Sequence, residues 1–316
     1  MRKLITLLLC LMAAVAGAAA PALAAEPRAK KVLVIGLDGV RVDALKQGDT
    51  PVLDRLIRGG AFAESAPIHG ERYQGSDTVS GASWSSILTG VWADKHRVDD
   101  NKIAAPNFDA YPHFFSYVKA FDPEAQTISL VSWAPIEEHI VSGADIHRVV
   151  TAPEPDSEDV NAVLAMEDQR DGIMAEAAEE LLKTEDPAAM FVYFHQADGT
   201  GHTVGYGPQI PQYVRAIENV DAHIGHVLEA VRSRASYERE DWLILVTTDH
   251  GGVGKGHGGG HGNPLVDNSF LIASGPSVAP GRAIDEAAIV DVVPTALRHL
   301  GIPLGEELDG QPQKLR

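Results

Sequence analysis

The stretch Trp242-Leu243-Ile244-Leu245-Val246-Thr247-Thr248-Asp249-His250-Gly251-Gly252 decides how the rest of the chain is read. Its five leading apolar residues are too few for a helix and suit a strand buried on both faces. Two threonines, an acid, an imidazole and two glycines follow. A buried strand holds such side chains rigidly at its carboxyl end, where open α/β sheets place their sites. The glycines allow a sharp turn and the close approach of a ligand. An Asp oxygen beside a His nitrogen is a frequent donor pair for zinc-like cations.

Two further stretches repeat the pattern. Val32-Leu33-Val34-Ile35-Gly36-Leu37 ends in Asp38-Gly39-Val40-Arg41. The three-glycine spacing of a dinucleotide site is missing, so Asp38 either caps the next helix or holds a cation. Met190-Phe191-Val192-Tyr193-Phe194 runs into His195-Gln196-Ala197-Asp198-Gly199-Thr200-Gly201-His202. Here a glycine-bearing turn can fold Asp198 and His202 onto one ion, and so many polar groups at a strand end are costly unless something satisfies them. His195 reads as a supporting or core histidine. Beyond Asp249, Gly254-Lys255-Gly256-His257-Gly258-Gly259-Gly260-His261-Gly262 is a flexible loop that returns one or two imidazoles to the same edge. Its Gly-Lys is not followed by Ser or Thr, which excludes a phosphate-binding P-loop.

The material between reads as ordinary α/β alternation. Thr50 caps a helix with Pro51 in its first turn, and Gly59-Gly60 stops it. Helices are expected over Tyr111–Ala120, Asp159–Lys183, Pro208–Ala235 and from Asp291 to near Gly301. Strands are expected over Thr127–Trp133, Ile146–Val150 and Ser269–Ser274. The long helix carries a stripe of Tyr213, Ile217, Val220, Ile224, Val227, Leu228 and Val231. His223 and His226 read as surface residues, and Asp94-Lys95-His96-Arg97 as a solvated loop. Thr78 to Gly90 is a helix by the spacing of Trp84, Ile87 and Leu88, with Gly90 as its stop. The hydroxyls crowding its start are either caps or a nucleophile placed where free N–H groups favour an oxyanion.

Composition narrows the function. The chain has 316 residues, 45% hydrophobic and 22% charged, with a formal net charge of −18. That charge is spread, which excludes a basic nucleic-acid footprint and makes an anionic membrane a poor partner. A small anionic substrate would need local positive charge, which a metal could supply. Arg2-Lys3, the apolar run from Leu4 to Ala20 and the small-x-small Ala22-Leu23-Ala24 read as a cleaved secretory signal over residues 1–24. The expected mature chain is one catalytic domain over 25–316, secreted or periplasmic. Cys10, the one cysteine, lies inside the signal, so no disulfide is expected. No other segment is long and apolar enough to span a bilayer.

Asp38, Asp198 and Asp249 each follow a separate buried strand, and in a parallel sheet those ends share one side. Three unshielded carboxylates there would repel, a conflict divalent cations remove. With His202, His250 and His257 or His261 the donors outnumber one tetrahedral site and suit two ions, zinc favoured by the mix. Ser80, at a helix start, would supply the attacking oxygen, with Thr78 and Ser83 as rivals.

In this order the motifs resemble the alkaline phosphatase superfamily, most closely its nucleotide pyrophosphatase/phosphodiesterase-like branch. The resemblance rests on strand-Asp38-Gly39, Thr50-Pro51-Val52-Leu53-Asp54-Arg55-Leu56, Ser80 ahead of Thr89-Gly90, Asp198 to His202, Thr248-Asp249-His250-Gly251 and the helix near Asp291. It implies a three-layer α/β/α sandwich with a mostly parallel central sheet. It implies Asp38, Asp249 and His250 on one zinc with the Ser80 oxygen. Asp198, His202 and a later histidine would hold the other, and His257 fits the family spacing better than His261. The sulfatase branch carries Pro two and Arg four residues after its nucleophile; Ala82 and Trp84 stand there, which argues against a formylglycine enzyme. The expected protein is therefore an exported, metal-dependent hydrolase of small phosphate diesters, pyrophosphates or monoesters. The alternatives are sulfate or phosphonate ester hydrolysis on the same site, or a periplasmic metal- or anion-binding protein without turnover.

Overall fold

A computed structural model describes residues 28–155 and 159–316. The signal read at 1–24 lies outside the described residues. In chain order the elements are β1 (Ala29–Leu37), α1 (Val42–Gln47), α2 (Pro51–Gly59), β2 (Ala61–Pro67), α3 (Ser80–Thr89), α4 (Ala93–His96) and α5 (Phe114–Phe121). Next come β3 (Thr127–Val131), a π-helical turn at Ile136–Ile140, β4 (Ile146–Val149), α6 (Val160–Thr184), β5 (Ala189–Phe194), α7 (Gln196–Val204) and α8 (Pro211–Arg232). The last are β6 (Glu240–Thr248), β7 (Asn268–Ser274), β8 (Arg282–Ala283) and α9 (Val292–Leu300). The strands form one sheet in the order β4-β3-β5-β1-β6-β7-β2-β8. Its pairings are parallel except β7, which runs antiparallel to both β6 and β2.

The three central strands show why the sheet is buried on both sides. Successive side chains of a strand face opposite ways. Leu33, Ile35 and Leu37 of β1, Met190, Val192 and Phe194 of β5, and Trp242, Ile244 and Val246 of β6 enter one core with α6 and α8. Val32 and Val34, Phe191 and Tyr193, and Leu243 and Leu245 enter the other with α3, α5 and α9. An uninterrupted apolar run is what such a strand needs, and each fully buried Leu, Ile or Val contributes about 1.5–3 kcal/mol. Every residue of the stripe expected on α8 is buried.

The helices depart from the sequence reading where a partner element intervenes. Thr50 precedes α2 but its hydroxyl makes no cap bond. The first amides, of Val52 and Leu53, donate instead to the buried carboxylate of Asp221 on α8, at 3.0 and 2.7 Å. The long helix starts at Pro211, not Pro208, and ends at Arg232, not Ala235. Gly205 and Gly207, at φ 111° and 129°, fold the chain away from helix just before it. Asp159 does cap α6, accepting from the Asn161 and Ala162 amides. The Asp94–Arg97 segment is not a solvated loop. It contains α4, and His96 is buried, its Nε2 2.9 Å from the Ser86 hydroxyl of α3. Lys95 donates to Asp309 at 2.7 Å, so these charges fasten the carboxyl terminus.

Two predictions follow from this packing. Removing the Asp221 carboxylate leaves two amides at the start of α2 without acceptors. Asp221→Ala is expected to lower the urea-unfolding free energy by about 2 kcal/mol, and an unchanged midpoint would discount the cap. Burial also pushes the imidazoles of His96 and His113 down, to about 3 and about 4. They stay neutral in the folded chain while the unfolded chain, titrating near about 6.5, takes up protons. Their contribution to stability is full above that pH and is lost as pH falls toward the folded values. Urea midpoints should drop between pH 7 and pH 5, and less steeply in His96→Gln.

Candidate active site

Parallel register sets the site. Leu37 of β1 pairs with Phe194 of β5 on one side and with Thr248 of β6 on the other. The residues that follow these ends therefore emerge together. Asp38 continues the row Val32-Val34-Gly36, and Asp249 the row Leu243-Leu245-Thr247, so both keep to the face covered by α3. Asp198 arrives one turn into α7. That helix starts because the buried Asp171 of α6 accepts the amides of His195 and Gln196, at 3.0 and 2.9 Å. Residues 196–204 are thus helix, not the glycine-bearing turn read from sequence, and Asp198 and His202 share a face at i, i+4. Gly39, at φ 66°, admits the neighbour: a Cβ there would stand 2.6 Å from Asp198 Oδ1.

Each carboxylate has one oxygen held and one presented. Asp38 Oδ2 accepts from the Tyr193 hydroxyl and from Trp84 Nε1, the latter at 3.3 Å. Asp249 Oδ1 accepts the amides of Gly39 and His250, both at 3.0 Å. Asp38 Oδ1 and Asp249 Oδ2 are buried without a hydrogen-bond partner among the described residues. They lie 3.6 and 3.2 Å from His250 Nε2, which is itself 3.2 Å from the Ser80 hydroxyl. Asp198 Oδ1 takes the Tyr206 hydroxyl at 2.5 Å, and Oδ2 stands 3.3 Å from His202 Nε2.

The imidazoles follow the same rule. His250 Nδ1 faces the carbonyl of Gly251 at 2.9 Å, His257 Nδ1 that of Thr78 at 2.8 Å, and His202 Nδ1 that of Lys255 at 3.0 Å. A carbonyl only accepts, so each Nδ1 carries a proton and each Nε2 faces inward, where a neutral ring offers a lone pair. His202 Nε2 and His257 Nε2 then meet at 3.2 Å, and His257 Nε2 lies 3.8 Å from Asp198 Oδ1. The His250 and His257 rings stack with centroids 3.8 Å apart.

The electrostatics ask for positive charge. Burial and the neighbouring Asp38 charge push the Asp249 carboxyl well above its ordinary range. Its bond to Asp198 pushes His202 up to about 9, so at neutral pH without a cation its Nε2 carries a proton toward Asp198, which a bound cation would displace. Two groups of donors lie close enough together for one ion each: Asp38, Asp249 and His250, and Asp198, His250 and His257. His202 adjoins the second. Inward-facing ring nitrogens and orphaned carboxylate oxygens are the donor types that divalent first-row cations take; the first group has the expected members, while the second has His250 where the expected set has His202.

All seven residues singled out from sequence, Asp38, Ser80, Asp198, His202, Asp249, His250 and His257, lie in this cluster. His261 does not; its ring packs on His69, 4.4 Å between centroids. Of the rival hydroxyls, Thr78 donates to the carbonyl of His257 and accepts the Gly260 amide at 2.8 Å. His195 supports: Nδ1 is 2.9 Å from Glu167 Oε2 and Nε2 3.8 Å from Asp198 Oδ2. Sequence reasoning missed Tyr193, Tyr206 and Trp84, which aim the carboxylates. Tyr193 is a polar-tipped aromatic inside an apolar strand, a signal that an unsatisfied partner is near, whereas Tyr206 between two glycines and Trp84 among serines carry no such signal.

The chain resembles proteins of known sequence and structure. The family model of type I phosphodiesterase / nucleotide pyrophosphatase matches residues 32–279. A 2,3-bisphosphoglycerate-independent phosphoglycerate mutase of Haloarcula marismortui is 26% identical over 216 residues, 65% of this chain and 34% of that protein. Ectonucleotide pyrophosphatase/phosphodiesterase family member 1 of Homo sapiens is 26% identical over 238 residues, 69% of this chain and 23% of that protein. The chain thus spans about a third or less of the length of these relatives. Among solved structures, a 2-O GAG sulfatase superposes with a TM-score of 0.71 at 15% identity, covering 89% of this chain and 73% of that one. Murine ectonucleotide pyrophosphatase / phosphodiesterase 5 gives 0.60 at 15%, covering 90% and 97%.

If the inward donors hold cations, like-charge repulsion destabilises the cation-free chain. Asp249→Asn should raise the melting temperature in chelator and blunt the gain of several degrees that Zn2+ gives the wild type. Melting curves with and without Zn2+ that are the same for both chains would speak against cation binding.

Proposed function

The chain belongs to the type I phosphodiesterase / nucleotide pyrophosphatase family and has its alkaline phosphatase-like fold, and from that premise we propose that it hydrolyses phosphate esters with Ser80 as nucleophile. The observation that carries this reading is the convergence of two orphaned carboxylate oxygens, Asp38 Oδ1 and Asp249 Oδ2, with His250 Nε2 beside the Ser80 hydroxyl. Asp38, Asp249 and His250 would hold one divalent cation, and Asp198, His202 and His257 the other. Such ions, when bound, supply the positive charge that lowers the pKa of a serine hydroxyl and offsets charge on phosphoryl oxygens. Zinc suits the oxygen and nitrogen donors.

The chain supplies the geometry. Ser80 is the first residue of α3, whose amide dipoles favour negative charge at that end. Asn101 Oδ1 accepts the Gly81 amide at 2.8 Å and pins that helix start. Ser80 Oγ gives up its proton to solvent and attacks phosphorus. The bond to the ester oxygen breaks, and its electron pair leaves with that oxygen, which takes a proton from water. A second water then attacks phosphorus, the bond to Oγ breaks, and Ser80 regains its proton. The Nδ1 contacts of His202, His250 and His257 keep the imidazoles in one tautomer throughout.

Phosphate rather than sulfate esters are favoured by Trp84, which spends its N–H on Asp38 and stands where a formylglycine enzyme would carry Arg. The family membership supports the phosphodiester and pyrophosphate class. The sequence of residues 1–24 supports export, and no helix among the described residues is long and apolar enough to cross a membrane.

Ser80→Ala is expected to keep fold and metal content and to lose about a thousandfold or more in kcat against an aryl phosphate ester. Acid quenching of the wild type should trap phosphate on the peptide containing Ser80. Phosphate on Thr78 or Ser83, or near-normal turnover by the variant, would overturn the assignment. A panel of mono-, di-, phosphonate and sulfate esters reads the substrate class directly.

A further inference from the structure

A second cluster lies along the same glycine-rich segment and is not used by the chemistry above. His69 follows β2, and His261 and Asp267 flank the turn that leads into β7. One ligand atom from each lies within 4.8 Å of the others. The His69 side chain is almost fully buried, 4% exposed. Its Nε2 faces the carbonyl of Ser76 at 3.1 Å and its Nδ1 faces Asp267 Oδ1 at 2.7 Å.

The carbonyl only accepts, so Nε2 carries a proton. Nδ1 and Asp267 Oδ1 stand at hydrogen-bond distance, so in the cation-free chain a proton lies between them, and a cation that takes both atoms displaces it. Asp267 Oδ2 is occupied by the Gly262 amide at 3.1 Å, which leaves Oδ1 as the presented oxygen. The His261 ring stands over His69, 4.4 Å between centroids. The pattern repeats that of the catalytic imidazoles: one ring nitrogen fixed by a backbone carbonyl, the other turned toward a carboxylate.

We propose that His69, His261 and Asp267 form a separate site for one divalent first-row cation of the zinc type, bound by two imidazole nitrogens and one carboxylate oxygen. Such a set leaves a coordination position open to water or an anionic group. The site also closes the segment that carries His257. His257 and His261 are four residues apart, and Asp77 and Thr78 already hold the Gly259 and Gly260 amides between them. A cation on His261 fixes the far end of that turn.

The test is stoichiometry, read without turnover. The full chain, stripped with chelator and refilled with Zn2+, is assayed by elemental analysis and titration calorimetry. His261→Ala and Asp267→Asn should each bind one equivalent fewer than the wild type, and Co2+-loaded His261→Ala should lose part of the visible absorption of nitrogen-ligated Co2+. His257→Ala, which touches the other cluster, should leave this equivalent in place, so failure of the catalytic-cation reading is distinguishable from failure of this one. His261 is exposed, and circular dichroism of its alanine variant checks that the fold is retained. Equal Zn2+ stoichiometry in the wild type, His261→Ala and Asp267→Asn would overturn the site and leave a proton between His69 and Asp267.

Discussion

The structure depends on the burial of three carboxylates at one end of three adjacent strands. β5, β1 and β6 run parallel in register, so the residues that follow them have no alternative but to meet. Asp38, Asp198 and Asp249 are 1%, 4% and 0% exposed. Burying like charges costs several kcal/mol per ion unless they are paired, protonated or bound to cations. A fold that tolerates such a cost has surrounded it with compensating groups, and most of the polar detail of the chain can be traced to that need.

The compensation is organised in tiers. Hydroxyls and an indole of Tyr193, Tyr206 and Trp84, with the amides of Gly39 and His250, occupy one oxygen of each acid. Backbone carbonyls fix the imidazole tautomers. Further out, acids on one helix cap another: Asp171 of α6 starts α7, and Asp221 of α8 starts α2. Burial pushes Asp171 up to about 7 against the two amide bonds that favour its charge. Local capping would set the helix without setting its position. Capping from a neighbour fixes where Asp198 and His202 stand relative to the sheet.

Much of this was legible in the sequence because it rests on short-range patterns. The apolar runs at 32–37, 190–194 and 242–246 suit buried strands, and the acid within four residues of each end reaches the same edge. The stripe of α8 was readable for the same reason. What was not legible depends on partners far away in the chain. Thr50 is a plausible cap until Asp221 arrives from 171 residues on. His96 belongs to a charged run and is buried only because α4 folds back on α3. The glycines of 199 and 201 suggested a turn, yet Asp171 holds that segment as helix. His257 and His261 are equivalent by composition, and only tertiary contacts separate them, one to Thr78 and the other to His69.

The Thr78 contacts bear on how the site moves. Thr78 donates to the carbonyl of His257, accepts the amide of Gly260, and lends its own carbonyl to His257 Nδ1, while Asp77 takes the amide of Gly259. The segment ending at Ser80 and the segment beginning at His257 are therefore stitched together across 177 residues of sequence by four hydrogen bonds. They have a common fate: four bonds join them, so neither frays without loosening the other. The amino-terminal approach to the nucleophile and the imidazole loop form one cooperative unit, and an amide in either can exchange with solvent only when the pair opens.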